Sequence, residues 1–426
     1  MTNKKILKRL DAFDPELCKL MREHIDRQVS MLSLIPTDSA ASPFSAYLKG
    51  SSLGNDFINF SSAQSHGRIE TMAAKRACEL FKAEHAIVRT GNLIAASRVV
   101  LQALVKRDDT ILSFNLRKKE HCSGEQMQYD FVKFALEPKT FRLSFDKLRS
   151  LALICEPKMI IYSPVNYPHN IDYSKLRKIA DEVGAILWID LGQNAGLIAA
   201  GCIESPVPFA DIVTFAASDA LHGPQSGIIL CKKKFADVLE ETVINTGHAS
   251  LKKNVLAALA ITFHEAACDE YKNFSRQVLA NARALEKGLR SVNADLICAP
   301  TENHLVLVRA NNAKIAAEKL SRGKLLVKAE TLMTSDKKVS LPVLRLSSLD
   351  PTTRGLYEDD LFTVGRTLGE FLRSAQDKNA IHSVELIVKE LVDALPIFAE
   401  EWLPSAEVAH EVDSDLMMKA LVYGTV

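Results

Sequence analysis

Short apolar runs alternate with amphipathic stretches along most of this chain. The runs fall at 86–88, 110–114, 159–162, 186–190, 212–215 and 227–231. Each is brief, bounded by polar or turn-forming residues and rich in Ile, Val and Leu, the signature of a buried strand. Between them, 95–106 and 173–183 repeat apolar residues at helical spacing. That alternation predicts a mainly parallel sheet covered by helices on both faces. Ahead of it, Asp14-Pro15 opens a helix over 14–31, with Leu17, Leu20, Met21 and Ile25 on one face. A second helix over 68–81 aligns Met72, Ala73, Ala77 and Leu80.

Residues 251–292 read as one long helix leaving this unit. Beyond it, strand-like segments near 294–310, 325–327 and 343–346 and a helix over 313–322 form a smaller α/β unit. Helices over 358–375 and 381–395 follow, then a tail of mixed charge and apolar residues. The predicted organisation is a helical arm (1–45), a large α/β domain carrying a cleft (46–290) and a small C-terminal α/β domain (291–426).

Length and composition agree with this outline. A chain of 426 residues is long enough for two domains, and its 47% hydrophobic and 25% charged content is that of a globular protein. A net charge of +1 gives no pull toward nucleic acid or an anionic membrane. The eight cysteines form no CxxC pair, which fits reduced thiols. With no signal-like N-terminus and no membrane-length apolar stretch, the expectation is a cytoplasmic protein. His66, His169, His222 and His248 are expected on loops near the pocket mouth, but no HxxxH spacing supports a metal site.

In an open parallel sheet, ligands bind beyond the carboxyl ends of the strands. Those ends are 89–92, 115–121, 163–169, 190–194 and 216–219. Around them stand Asp172-Tyr-Ser-Lys-Leu-Arg-Lys-Ile-Ala-Asp181, Trp188-Ile-Asp-Leu-Gly-Gln-Asn194, and Ala195-Gly-Leu-Ile-Ala-Ala-Gly201 followed by Pro206-Val-Pro208. Read together, these resemble serine hydroxymethyltransferase, a fold-type I pyridoxal-phosphate enzyme. The resemblance is strongest over 157–230 and extends more loosely from Leu34–Asp38 to Leu344–Ser348.

The resemblance implies an aminotransferase-like α/β fold and assigns roles by position. Asp190 matches the aspartate that pairs with the cofactor's pyridinium nitrogen. His121 matches the histidine stacked on the ring. Arg345 matches the arginine that clamps the substrate carboxylate, a bidentate task suited to a guanidinium. Asp38 and Asn59 are further substrate-binding candidates.

Several positions depart from the family pattern. Asp219 stands where the family carries its Schiff-base lysine, and a carboxylate forms no imine. Ser218 replaces the histidine before it, and Gln193 replaces another. Asn92-Leu93-Ile94 replaces the phosphate-cradling Ser-Gly-Ser, while the second phosphate loop keeps only Gly247. Phe57-Ile-Asn59-Phe60 lacks the family's tyrosine and general acid/base glutamate, and Val165 replaces a serine. Hydrogen bonds to a charged phosphate contribute about 1.5–3 kcal/mol each, so losing three or four removes several orders of magnitude in affinity.

The expectation is therefore that no cofactor is held in the family's manner, with noncovalent pyridoxal phosphate as a variant. The first functional reading is a non-catalytic binding or partner protein with a small amino acid or carboxylate as ligand. The alternative is an enzyme of altered chemistry using Asp219, Asp190 and His121, in which close carboxylates hold one of the pair protonated. A homodimer is implied, or a heterodimer with a functional paralogue.

Overall fold

The structure is a computed structural model. It describes residues 3–55, 63–114, 129–165, 167–247, 251–333, 340–374, 378–393 and 395–405. His121 and Asn59 lie outside the described residues, as does His248.

After helices Asn3–Phe13 and Pro15–Ser30 comes a two-residue strand, β1 (Leu32–Ser33). Asp14 separates the two helices: its side chain accepts from Leu17 N and caps the second. The predicted helix over 14–31 is thus preceded by another.

Seven strands then build the main sheet. They are β2 (His85–Thr90), β3 (Thr110–Phe114), β4 (Asp130–Phe134), β5 (Met159–Tyr162), β6 (Ile186–Asp190), β7 (Ile212–Ala216) and β8 (Gly227–Cys231). Their order is β2-β8-β7-β6-β5-β3-β4. Only β8 runs antiparallel to its neighbours. Side chains alternate between faces, as a pleated strand requires. Leu112, Ile160, Leu187, Ile189, Val213 and Ile228 enter one core, with residues of the helices Ala63–Phe81, Tyr173–Glu182 and Lys253–Glu265. Ile111, Met159, Ile161, Trp188, Ile212 and Ile229 enter the other, beneath Leu93–Leu104 and Ala236–Asn245. Both faces are apolar, which is why the strands read as continuous runs.

The predicted single helix over 251–292 is two helices, Lys253–Glu265 and Asp269–Ser291. The chain breaks at Cys268, whose extended backbone is the N-cap of the second helix, with Asp269 and Glu270 in its first turn. No glycine or proline marks that break in the sequence.

The remaining strands are β9 (Leu296–Ile297), β10 (Leu305–Arg309), β11 (Leu325–Leu326), β12 (Lys328–Met333) and β13 (Ser340–Ser347). They form an antiparallel sheet in the order β12-β13-β10-β9, while β11 pairs with β1. The period of two on β13 decides what this sheet offers. Leu344 and Leu346 enter the small sheet's own core with Val306, Val308 and Leu368. Val343 packs into the main core, and Arg345 shares its face, turned toward the ends of the main-sheet strands.

Candidate functional site

The carboxyl ends of β6 and β7 and one face of β12 and β13 enclose a cleft of about 380 Å³. Ile35–Thr37, the start of helix Leu93–Leu104 and the loop after β7 complete it. Its chemistry is concentrated on two sides, a floor at the strand ends and a wall formed by the small sheet.

The floor carries Asp190 and Asp219. Asp190 ends β6 and is wholly buried. Ser163 Oγ donates to its Oδ2 at 3.0 Å, and the Gly192 N–H donates to its Oδ1 at 3.1 Å. Asp219 follows β7 in a loop closed by its own backbone, with Gly223 N–H donating to Ala217 O at 2.8 Å. A Cβ on Gly223 would lie 2.7 Å from that oxygen, so the loop needs glycine there. Ser218 Oγ donates to Asp219 Oδ1 at 3.3 Å. Burial pushes the Asp219 carboxyl up to about 6; hydrogen bonds from Ser218 and Gln193 oppose this, Asp190 adds to it and Arg345 reduces it. The expected rise is present, but its first cause is burial and not the neighbouring carboxylate.

The wall carries Arg345, Lys328 and Glu330. Arg345 is buried and reaches Gln193 Oε1 at 3.5 Å and Glu330 Oε1 at 3.9 Å. Lys328 stands directly opposite Arg345 in the β12–β13 register. Sequence reading missed both Lys328 and Glu330 because it assigned no strand at 328–333. Polar residues at 328 and 330, two apart, were the available signal for one shared strand face.

Asn92, Leu93 and Ile94, which the resemblance assigns to the phosphate position, line the cleft. Asn92 acts as a helix N-cap, its Oδ1 accepting from Ala95 N at 2.8 Å. Gly227 permits this approach, since a Cβ there would sit 2.2 Å from Asn92 O.

Other predicted residues are placed elsewhere. Asp38 accepts from Ser33 Oγ at 2.7 Å within its own turn and does not line the cleft. Gly247 lies exposed past helix Ala236–Asn245 with φ +70°, also away from it. His169 and His222 are not at the mouth, as expected above, but buried. His169 Nδ1 lies 3.3 Å from Glu302. His222 packs against Phe274 and Phe398, and its Nδ1 meets Ala40 O at 2.9 Å. Burial lowers its pKa to about 4, against the hydrogen bond to Ala40. Among the described residues no cluster of His, Cys, Asp and Glu could hold a metal. No helix of the described residues is long and apolar enough to cross a membrane.

A mostly parallel seven-stranded sheet with one reversed member, joined to a second sheet across a strand-end cleft, defines a fold-type I architecture. The family model for serine hydroxymethyltransferase matches residues 10–368. A serine hydroxymethyltransferase of Myxococcus xanthus (strain DK1622) is 32% identical over 413 residues, covering 92% of this chain and 98% of that protein. The chain belongs to the serine hydroxymethyltransferase family.

Proposed function

We propose that this family member uses the inherited cleft to bind a small amino acid, without a Schiff base at position 219 and without the family's hydroxymethyl transfer. The observation that carries this reading is the carboxylate of Asp219 lining the same cleft as the buried guanidinium of Arg345, together with the resemblance that aligns Asp219 with the family's lysine. Arg345 is suited to the ligand's carboxylate and the acidic floor to its ammonium.

Pyridoxal phosphate, the family's cofactor, fits these residues only in part. Asp190, a carboxylate at the strand end, has the chemistry suited to a ring nitrogen. Against that, Asp219 forms no imine, Asn92 is engaged as a helix cap, and Leu93 and Ile94 offer apolar side chains where a phosphate would need donors. The residues at the aldimine and phosphate ends do not fit the group, so no step is routed through it.

A second reading is favoured by the raised pKa of Asp219. A carboxyl near 6 beside a second carboxylate suits acid/base chemistry on a bound ligand. The resemblance assigns His121, outside the described residues, to the same site. Subunit pairing, as a homodimer or with a functional paralogue, belongs to this proposal.

The test is calorimetry with simple amino acids on wild type and Arg345→Gln. A bidentate charged contact contributes about 1.5–3 kcal/mol, so R345Q should weaken binding at least tenfold. Unchanged affinity in R345Q would overturn the reading. Substrate turnover by wild type that is lost in Asp219→Asn would favour the second reading over the first.

A further inference from the structure

We infer that residues 32–42, which supply one edge of the cleft, form a strap that two buried carboxyl groups, Asp350 and Glu265, hold in place in acid and loosen as they ionise. The inference concerns access to the cleft and is independent of which ligand the cleft binds.

Geometry carries the inference. Ile35, Pro36 and Thr37 line the cleft, yet from Leu34 to Ser42 the chain is neither helix nor strand. Its attachments concentrate at the two ends. At the first, Leu32 and Ser33 pair with β11, and Ser347 N–H donates to Leu34 O at 2.8 Å. Two carboxyl groups meet Ser33: its Oγ donates to Asp38 Oδ2 at 2.7 Å, and its N–H bonds to Asp350. At the second end, Ser42 N–H donates to His222 O at 2.8 Å, and Ser42 Oγ donates to Glu265 Oε2 at 2.8 Å. The same hydroxyl caps the helix Pro43–Lys49, accepting from Ser45 N at 3.1 Å. Each end thus depends on a serine and a carboxyl group withdrawn from water.

The charged groups facing Asp350 are Arg354, just beyond its own helical turn, and Asp38 on the strap. Arg354 directs Nη1 to Met31 O at 2.7 Å, Nη2 to Val29 O at 3.0 Å and Nε to Pro396 O at 3.1 Å. Burial pushes the Asp350 carboxyl up to about 7; Arg354 and the Ser33 N–H oppose this, and Asp38 adds to it. Burial likewise raises Glu265 to about 7, against the hydrogen bond from Ser42. Tyr271 and Cys268 face Glu265, but burial raises both, so neither carries charge at neutral pH. His222, which meets Ser39 Oγ at 3.0 Å in mid-strap, is lowered to about 4 and is neutral above that. Ionisation therefore leaves each carboxylate buried and undercompensated, and opening the strap returns it to water. For a raised carboxyl, the closed state is fully favoured below the ordinary pKa of about 4, loses favour as pH rises and levels off above about 7. Across that interval each group favours opening by up to about tenfold per pH unit.

Amide hydrogen exchange on the full chain, corrected for the intrinsic pH dependence of exchange, tests this. Between about pH 5 and about pH 7.5, protection over 32–42 should fall at least tenfold in wild type, while strand β6 (186–190) changes far less. Asp350→Asn should remove most of the loss next to Ser33, and Glu265→Gln most of it next to Ser42. The double variant should hold the strap at both pH values. Asp219→Asn, outside the strap, should keep the wild-type response. Wild-type protection that does not change with pH would overturn the inference, as would an equal loss over 186–190. So would a full loss persisting in either single variant at its own end, a result that stands even if the double variant fails to fold.

Discussion

Asp211 and Asp219 flank the same strand, β7, at its two ends, and both are largely withdrawn from water. Asp211 sits just before the strand, where Arg177 Nη1 lies at 2.7 Å, Lys234 at 3.2 Å and Lys232 at 3.4 Å, and Leu187 N–H donates at 3.0 Å. Burial would raise its pKa, but these donors and cations outweigh burial and hold it below the ordinary carboxylate range. Asp219, beyond the other end, receives weak neutral hydrogen bonds and has a second carboxylate nearby, and its pKa moves the opposite way. One aspartate is compensated within the protein. The other faces a cleft, where hydrogen bonds from Ser218 and Gln193 and the charge of Arg345 only partly offset burial. On the proposed reading, that difference separates a structural carboxylate from one that meets a ligand.

The largest expected effect breaks the compensated end. Asp211→Ala leaves Arg177 and the Leu187 N–H without their buried partner, and should cost about 3–5 kcal/mol by urea denaturation. Because the Asp211 pKa is depressed, its contribution is complete above the unfolded carboxylate pKa and fades as pH falls through the folded value. A loss under about 1 kcal/mol would place Asp211 among weak surface pairs.

Asp219→Asn should act in the opposite direction. A pKa raised to about 6 means the ionised form destabilises the fold, by at most about 3 kcal/mol once pH exceeds that value. This penalty is absent below the unfolded carboxylate pKa, grows as pH rises through the interval and is complete above about 6. D219N should therefore be more stable than wild type at about pH 8, by about 1–2 kcal/mol, and equal to it at about pH 4. A variant less stable than wild type at the higher pH would contradict the comparison.

The smallest effect sharpens it with a carboxylate outside the cleft. Asp38→Asn weakens one hydrogen bond from Ser33 in a half-buried turn, and should cost about 1 kcal/mol with no change in amino-acid affinity. A clear loss of ligand binding would return Asp38 to the site.

Much of the main sheet was legible because strands buried on both faces are continuous apolar runs; β3, β5, β6 and β8 fall at the ranges read from the sequence. Strand β4 was not, since Asp130-Phe-Val-Lys-Phe134 lies at the sheet edge, partly exposed, and interrupts the apolar run with charge. Strand β12 hid for a related reason: Lys328, Ala329, Glu330 and Thr331 carry no apolar signal, because one face of this strand serves the cleft. The floor of the site followed from strand ends and resemblance. Of its wall only Arg345 did, since the pairing of Lys328 with it arises only when β12 and β13 meet.

The central claim is that an acidic floor has replaced an imine-forming one. It is tested most directly by incubating the purified protein with pyridoxal phosphate, reducing with borohydride and mapping any modified peptide after removing free cofactor. The account predicts no retained visible band and no specific pyridoxyl-lysine. A stoichiometric pyridoxyl adduct on a lysine that reaches this cleft, Lys328 included, would contradict it.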